Sequence, residues 1–174
     1  MSFYISFVTE YPLASAIIQF AILGTLGEFA AKWMVAKKLY NPFPLKLILW
    51  KGVVWGILAI CIKYAFIGFE GFVTYLSEMG YLPQTNTFTK ALFKSAAMNL
   101  QFGLFLVIFH RILDNLVVKE KNWDNLDKGM MTLLWFWIPA HTITFMLPRE
   151  FQIGLAAVWS VALGIILGFY NRKK

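Results

Sequence analysis

Apolar residues run along this chain in long blocks separated by short polar breaks. The blocks predict membrane-spanning helices at about 13–33, 47–66, 91–110, 130–147 and 153–170. Each has about 18 residues or more, enough to cross roughly 30 Å of hydrocarbon. The breaks hold residues that stop or exclude an apolar helix. They are Asn41, Pro42 and Pro44, the polar stretch Gln84 to Thr89, the mixed-charge segment Asp114 to Lys128, and Arg149 with Glu150. Between Phe69 and Met79, the residues Phe72, Val73, Leu76 and Met79 fall on one face, and Gly80 follows. That pattern predicts a short amphipathic helix lying in the interface. The expected fold is therefore all-α: a multi-pass membrane helix bundle of five spans plus an interfacial helix, in a single integral membrane domain covering 1–174.

Small residues within the spans mark expected packing faces. Ala156, Ser160, Gly164 and Gly168 recur every four residues on the last span. Gly24 and Gly27 sit on the first span, Gly52 and Gly56 form a GxxxG pair on the second, and Gly103 lies on the third. Without side chains in the way, helices can approach closely at such positions, which is how membrane helices gain packing energy.

Composition supports the bilayer as solvent. Of 174 residues, 59% are hydrophobic and only 14% charged, where a soluble domain has about 25% charged. The formal net charge of +7 would point to nucleic acid in a soluble protein. Here the basic residues flank apolar runs, so the expected partner is the lipid bilayer, with anionic headgroups on the basic face, and not nucleic acid. Five spans gather Lys32, Lys37, Lys38, Lys46, Arg111, Lys119, Lys121, Lys128 and the tail Arg172 to Lys174 on one side. Lys90, Lys94 and Arg149 fall on the other. The positive-inside rule then puts the amino terminus outside and the carboxyl terminus inside. The first twelve residues contain no Lys or Arg, so they read as an aromatic interfacial lead-in and not as a cleavable targeting segment. The expected location is a bacterial cytoplasmic membrane, with the mitochondrial inner membrane as the alternative.

Polar residues inside spans are costly and therefore carry the candidate chemistry. Glu28 on the first span and Lys51 on the second lie at equal depth on adjacent antiparallel helices, so an ion pair is expected; Gln19 lies deeper on the same first span. Ser95, Asn99 and Gly103 form a stripe on the third span, with His110 about 20° away around a regular helix. On the fourth, Pro139 opens the backbone ladder beside His141, Thr142 and Thr144. Gln19, Glu28, Lys51, Asn99, His110 and His141 are thus the candidates for a polar path. Each has a plainer reading as an interhelical hydrogen bond or ion pair. No HExxH, CxxC or glycine-rich phosphate loop occurs, and HRILD is one residue short of an acyltransferase spacing. Two histidines and the single Cys61 lie far apart in sequence, so no metal site, cofactor or enzymatic activity is expected.

Over nearly its whole length the chain resembles the Mpv-seventeen family of small mitochondrial and peroxisomal membrane proteins. YPLASAIIQFAILGTLGEFAAKWMV looks like its opening helix, ending in the pair Gly27-Glu28, and Gly52 to Tyr64 is similar to its second helix. Trp123 and the order Pro139, Phe145, Pro148, Trp159 follow its carboxyl-terminal pattern. The chain departs from it at Ile57-Leu58, Lys63-Tyr64 and Met98-Asn99. The resemblance implies a membrane pore that influences metabolite balance. The function expected is accordingly a channel or transporter for ions or small metabolites, possible as a homo-oligomer. The alternative is a non-transporting scaffold or assembly factor.

Overall fold

The computed structural model describes residues 2–83, 86–118 and 121–170. These residues are predominantly helical, with no strand among them. The helices are α1 (Ser2–Glu10), α2 (Pro12–Ala36), α3 (Leu45–Glu78), α4 (Thr87–Met98), α5 (Leu104–Val118), α6 (Leu126–Thr132), α7 (Ile138–Met146) and α8 (Arg149–Tyr170). A π-helical turn, Asn99–Gly103, joins α4 to α5, and a second, Leu133–Trp137, joins α6 to α7.

Among the described residues, four helices are long and apolar enough to cross a membrane: Pro12–Ala36, Leu45–Glu78, Thr87–Val117 and Arg149–Phe169. The expected count of five is thus not confirmed by length and composition. The missing one, around 130–147, is helical from Leu126 to Met146. Asp127, Lys128, Pro139, His141 and its threonines dilute the apolar content there. The expected interfacial helix at 69–79 is also corrected. It is the last third of α3, which runs unbroken from Leu45 to Glu78. Gly68 and Gly71 do not break it, because a helix tolerates an interior glycine at about 1 kcal/mol and no proline intervenes. The helix ends where glycine can take a left-handed conformation: Gly80 has φ +75°. Tyr81 N donates to Leu76 O at 2.9 Å and Gly80 N to Ser77 O at 3.2 Å, a Schellman closure.

The chain forms two compact units, Met1–Ile60 with Ile153–Lys174, and Cys61–Gln152. In the first unit, the aromatic lead-in is helix α1. The chain turns back at Tyr11 (φ −125°, ψ 60°), and Pro12 starts α2. Tyr4 Oη therefore reaches Gln19 Oε1 at 3.2 Å. One face of α2 presents Phe20, Gly24 and Glu28 to α3. Trp55 stacks on Phe20 at 6.2 Å, and its indole covers Gly24 so closely that a Cβ there would overlap the ring. Another face meets α8. A Cβ on Gly27 would strike the Ser160 backbone, one on Gly164 the Gly27 carbonyl, and one on Gly168 would lie 2.6 Å from Ala31 O. Ala156 and Ser160 are buried on the same side of α8. The small-residue stripe is thus a backbone-to-backbone seam. Gly27 meets Ser160 and Gly164, and Ala31 meets the later Gly168, so α2 and α8 run parallel. Gly56 contacts α2 more loosely: a Cβ there would fall 3.3 Å from Ile17 Cγ2. Gly52 is a correction: a Cβ there meets nothing within 4 Å, because the α2–α3 contact is made by Trp55 and Lys51 on the neighbouring face. Gln84, Thr85, Lys119 and the basic tail 171–174 lie outside the described residues.

Candidate functional site

In the first unit the expected ion pair forms. Lys51 Nζ binds Glu28 Oε2, and Trp55 Nε1 donates to Glu28 Oε1 at 2.9 Å. Lys51 and Trp55 are one turn apart on α3, so both reach the same carboxylate. Lys51 is buried and also caps the Phe43 ring at 5.1 Å. Glu28 therefore ties α2 to α3. Gln19 is engaged too, donating to Ser15 Oγ at 2.8 Å and accepting from Tyr4.

The second unit holds a more extended polar arrangement, built where α4 packs antiparallel on α7. Ser95 Oγ donates to Ile138 O at 2.7 Å, and Thr142 Oγ1 donates to the same carbonyl at 2.7 Å. Asn99 Nδ2 donates to Ser95 O at 2.8 Å. The Asn99 amide also faces His141, with Nδ2 at 3.1 Å and Oδ1 at 3.3 Å from its Nδ1. Either tautomer of the ring finds a partner there: the amide nitrogen can donate to a bare Nδ1, and the amide oxygen can accept from a protonated one. Ser95, Asn99 and His141 are all buried.

The first π turn begins, and the second ends, beside this group, each for a local reason. Asn99 takes the Ser95 carbonyl with its side chain, competing with the backbone ladder just where it widens. Pro139 supplies no N–H to the turn before it, and Leu133–Trp137 widens there. The two turns meet: a Cβ on Gly103 would lie 2.8 Å from Leu133 Cδ2. Such turns are rare and frequently sit at functional sites. They also correct one sequence expectation. A regular helix would align His110 with Asn99, and the turn between them breaks that register. His110 instead sits 3.7 Å from Asp114 Oδ2, apart from the Asn99–His141 group.

Toward the start of α4 the polar character continues. Phe145 packs against His141 with ring centroids 5.8 Å apart and against Phe66 at 4.7 Å. Lys94 Nζ also lies over the Phe145 ring, 4.0 Å from its centroid, and 5.8 Å from that of Phe66. Lys94 is only 3% exposed. Its ammonium is 2.9 Å from Glu70 Oε2, and Lys90 Nζ is 3.0 Å from Glu70 Oε1. These groups line an open cleft of about 300 Å³ whose rim includes Asn86 and Thr87. From the cleft inward the order is Lys90 and Glu70, then Lys94 and the aromatic layer of Phe66 and Phe145, then His141, Asn99 and Ser95.

Sequence reasoning found Asn99 and His141 but missed Glu70, Lys90 and Lys94. The available signal was charge spacing. Lys90 and Lys94 are one turn apart on one helix face and would repel without an acid between them. The nearest acidic residues before them in sequence are Glu78 and Glu70. The chain matches no protein-family profile, no curated protein and no solved structure.

Proposed function

We propose that this protein is a small multi-pass membrane channel or transporter for ions or small metabolites, distantly related to the Mpv-seventeen family. The observation that carries the reading is the ordered polar series in the second unit. It begins at an open cleft and continues behind an aromatic layer to a buried amide–imidazole pair flanked by two π turns. Ionisable groups inside membrane helices commonly mark solute or ion paths, and Glu70, Lys94 and His141 all belong to this series. Phe66 and Phe145, lying between Lys94 and His141, have the place and chemistry of a gate.

The parallel run of α2 and α8 supports five crossings. Parallel helices start on the same side, so an even number of crossings separates their starts. The helices α2, α3 and α4–α5 make three, and Leu126–Met146 supplies the fourth. The termini then lie on opposite sides, the amino terminus outside and the carboxyl terminus in the cytoplasm by the positive-inside rule. We place the protein in a bacterial cytoplasmic membrane.

Thiol accessibility tests the path. In a background with Cys61→Ser, Ser95→Cys and Asn99→Cys should react in liposomes with a small water-soluble methanethiosulfonate reagent. Ile143→Cys, on the 51% exposed outer face of α7, should stay inert in the lipid. Inert thiols at both 95 and 99 in folded protein would count for a dry structural core and against transport.

A further inference from the structure

The cleft at the start of α4 has a charge arrangement that an ion pair alone leaves incomplete. Two ammonium groups, Lys90 and Lys94, share the single carboxylate of Glu70. Arg149 adds a further positive field at Lys94. Positive charge thus exceeds the one carboxylate that lines this cleft among the described residues. Lys94 has three N–H donors, and Glu70 takes one of them. The rim adds the amino-terminal end of α4, capped by Asn86, with no acidic residue in its first turn. A helix amino terminus favours negative charge and disfavours the lysine that closes its first turn here.

We infer that the Glu70–Lys90–Lys94 cleft is a binding site for a small oxyanion, a phosphate or carboxylate group, and that Glu70 is its displaceable stand-in. The entering anion replaces the Glu70 carboxylate as the acceptor for Lys94 and Lys90. Asn86 and Thr87 offer hydrogen-bonding groups at the rim, and Phe145 closes the inner wall. The glutamate keeps the buried ammonium neutralised while the site is empty. An anion therefore exchanges one partner for another and never faces an unpaired charge. As the substrate class of the path described above, this rests on the transport reading; as a binding site it can be measured without flux.

The test uses the full-length protein in an uncharged maltoside detergent, titrated with inorganic phosphate against chloride at constant ionic strength and read by thermal unfolding. Phosphate should raise the melting temperature more than chloride does. Lys90→Gln, a half-exposed position that should fold, should weaken the apparent phosphate affinity about tenfold, as expected for one charge-assisted hydrogen bond. Glu70→Gln should tighten it, because the resident competitor is gone. Glu70→Gln should lower the stability of the phosphate-free protein under either reading, but a purely structural triad predicts an unchanged phosphate response, and that result overturns the inference. A parallel titration with short-chain phosphatidic acid separates the sources. Response to free phosphate assigns a soluble anion, response to the lipid alone assigns a headgroup, and response to neither overturns the site. Flux of neutral solutes without any phosphate response would leave transport standing and remove this inference. Phosphate binding without flux would do the opposite.

Discussion

Replacing Gly164 by alanine places a methyl group against the Gly27 carbonyl, well inside van der Waals contact. Overpacking costs about 1–3 kcal/mol where neighbouring side chains can shift. Here the obstacle is main chain on a parallel helix, so the upper end, about 3 kcal/mol, applies. Alanine is the better helix former by about 1 kcal/mol. The net expectation is a loss of about 2 kcal/mol, roughly 30-fold in the folding equilibrium. Gly52→Ala is the matched control. It gains the same propensity with nothing within 4 Å of the new methyl, so it should be neutral or stabilising by up to about 1 kcal/mol. The two variants should therefore differ by about 3 kcal/mol, measured by equilibrium unfolding in mixed micelles with helical circular dichroism as the readout. Equal stability would mean that α2 and α8 do not pack through this seam, and the parallel arrangement drawn from it would fall.

Other expectations follow from single contacts. Glu28→Gln keeps the hydrogen bond to Trp55 but removes the carboxylate charge that the buried Lys51 ammonium binds, so it should cost about 3–5 kcal/mol; adding Lys51→Met should recover most of it. If the double variant is no more stable than the single one, the pair is not the reason for the cost. Asn99→Leu leaves His141 Nδ1 without its amide and should lose about 1–3 kcal/mol, seen as a lower melting temperature. Gly68→Pro would break α3 within its span and should cost about 3 kcal/mol or more. Tolerance of that proline would restore the separate interfacial helix.

The features legible in the sequence were those set by periodicity or by depth. Apolar block length gave the all-helical class. The four-residue recurrence of Ala156, Ser160, Gly164 and Gly168 marked a real seam, since on a straight helix that spacing keeps one face. Glu28 and Lys51 could be paired because a short loop joins their helices and fixes their relative depth. The same rule failed at Gly52, where face and not depth decides contact, and a GxxxG pair does not say which face Trp55 will occupy. Continuity of α3 through Gly68 and Gly71 was hidden because glycine is read as punctuation, although nothing there satisfies an ended helix. The π turns leave no periodic trace and come from competition by Asn99 and the missing N–H of Pro139. Glu70 and Lys94 stand 24 residues apart across a turn, so only the folded chain brings them together.

The central claim is that small solutes pass along the series from Lys94 through His141 to Asn99. It is tested most directly by solute release from liposomes containing this protein alone, loaded with a panel of labelled ions and metabolites. Protein-dependent release is expected, and Asn99→Leu and His141→Phe should each reduce it at least tenfold while circular dichroism shows intact helices. Release no faster than from protein-free liposomes across the panel, or release indifferent to both substitutions, would contradict it.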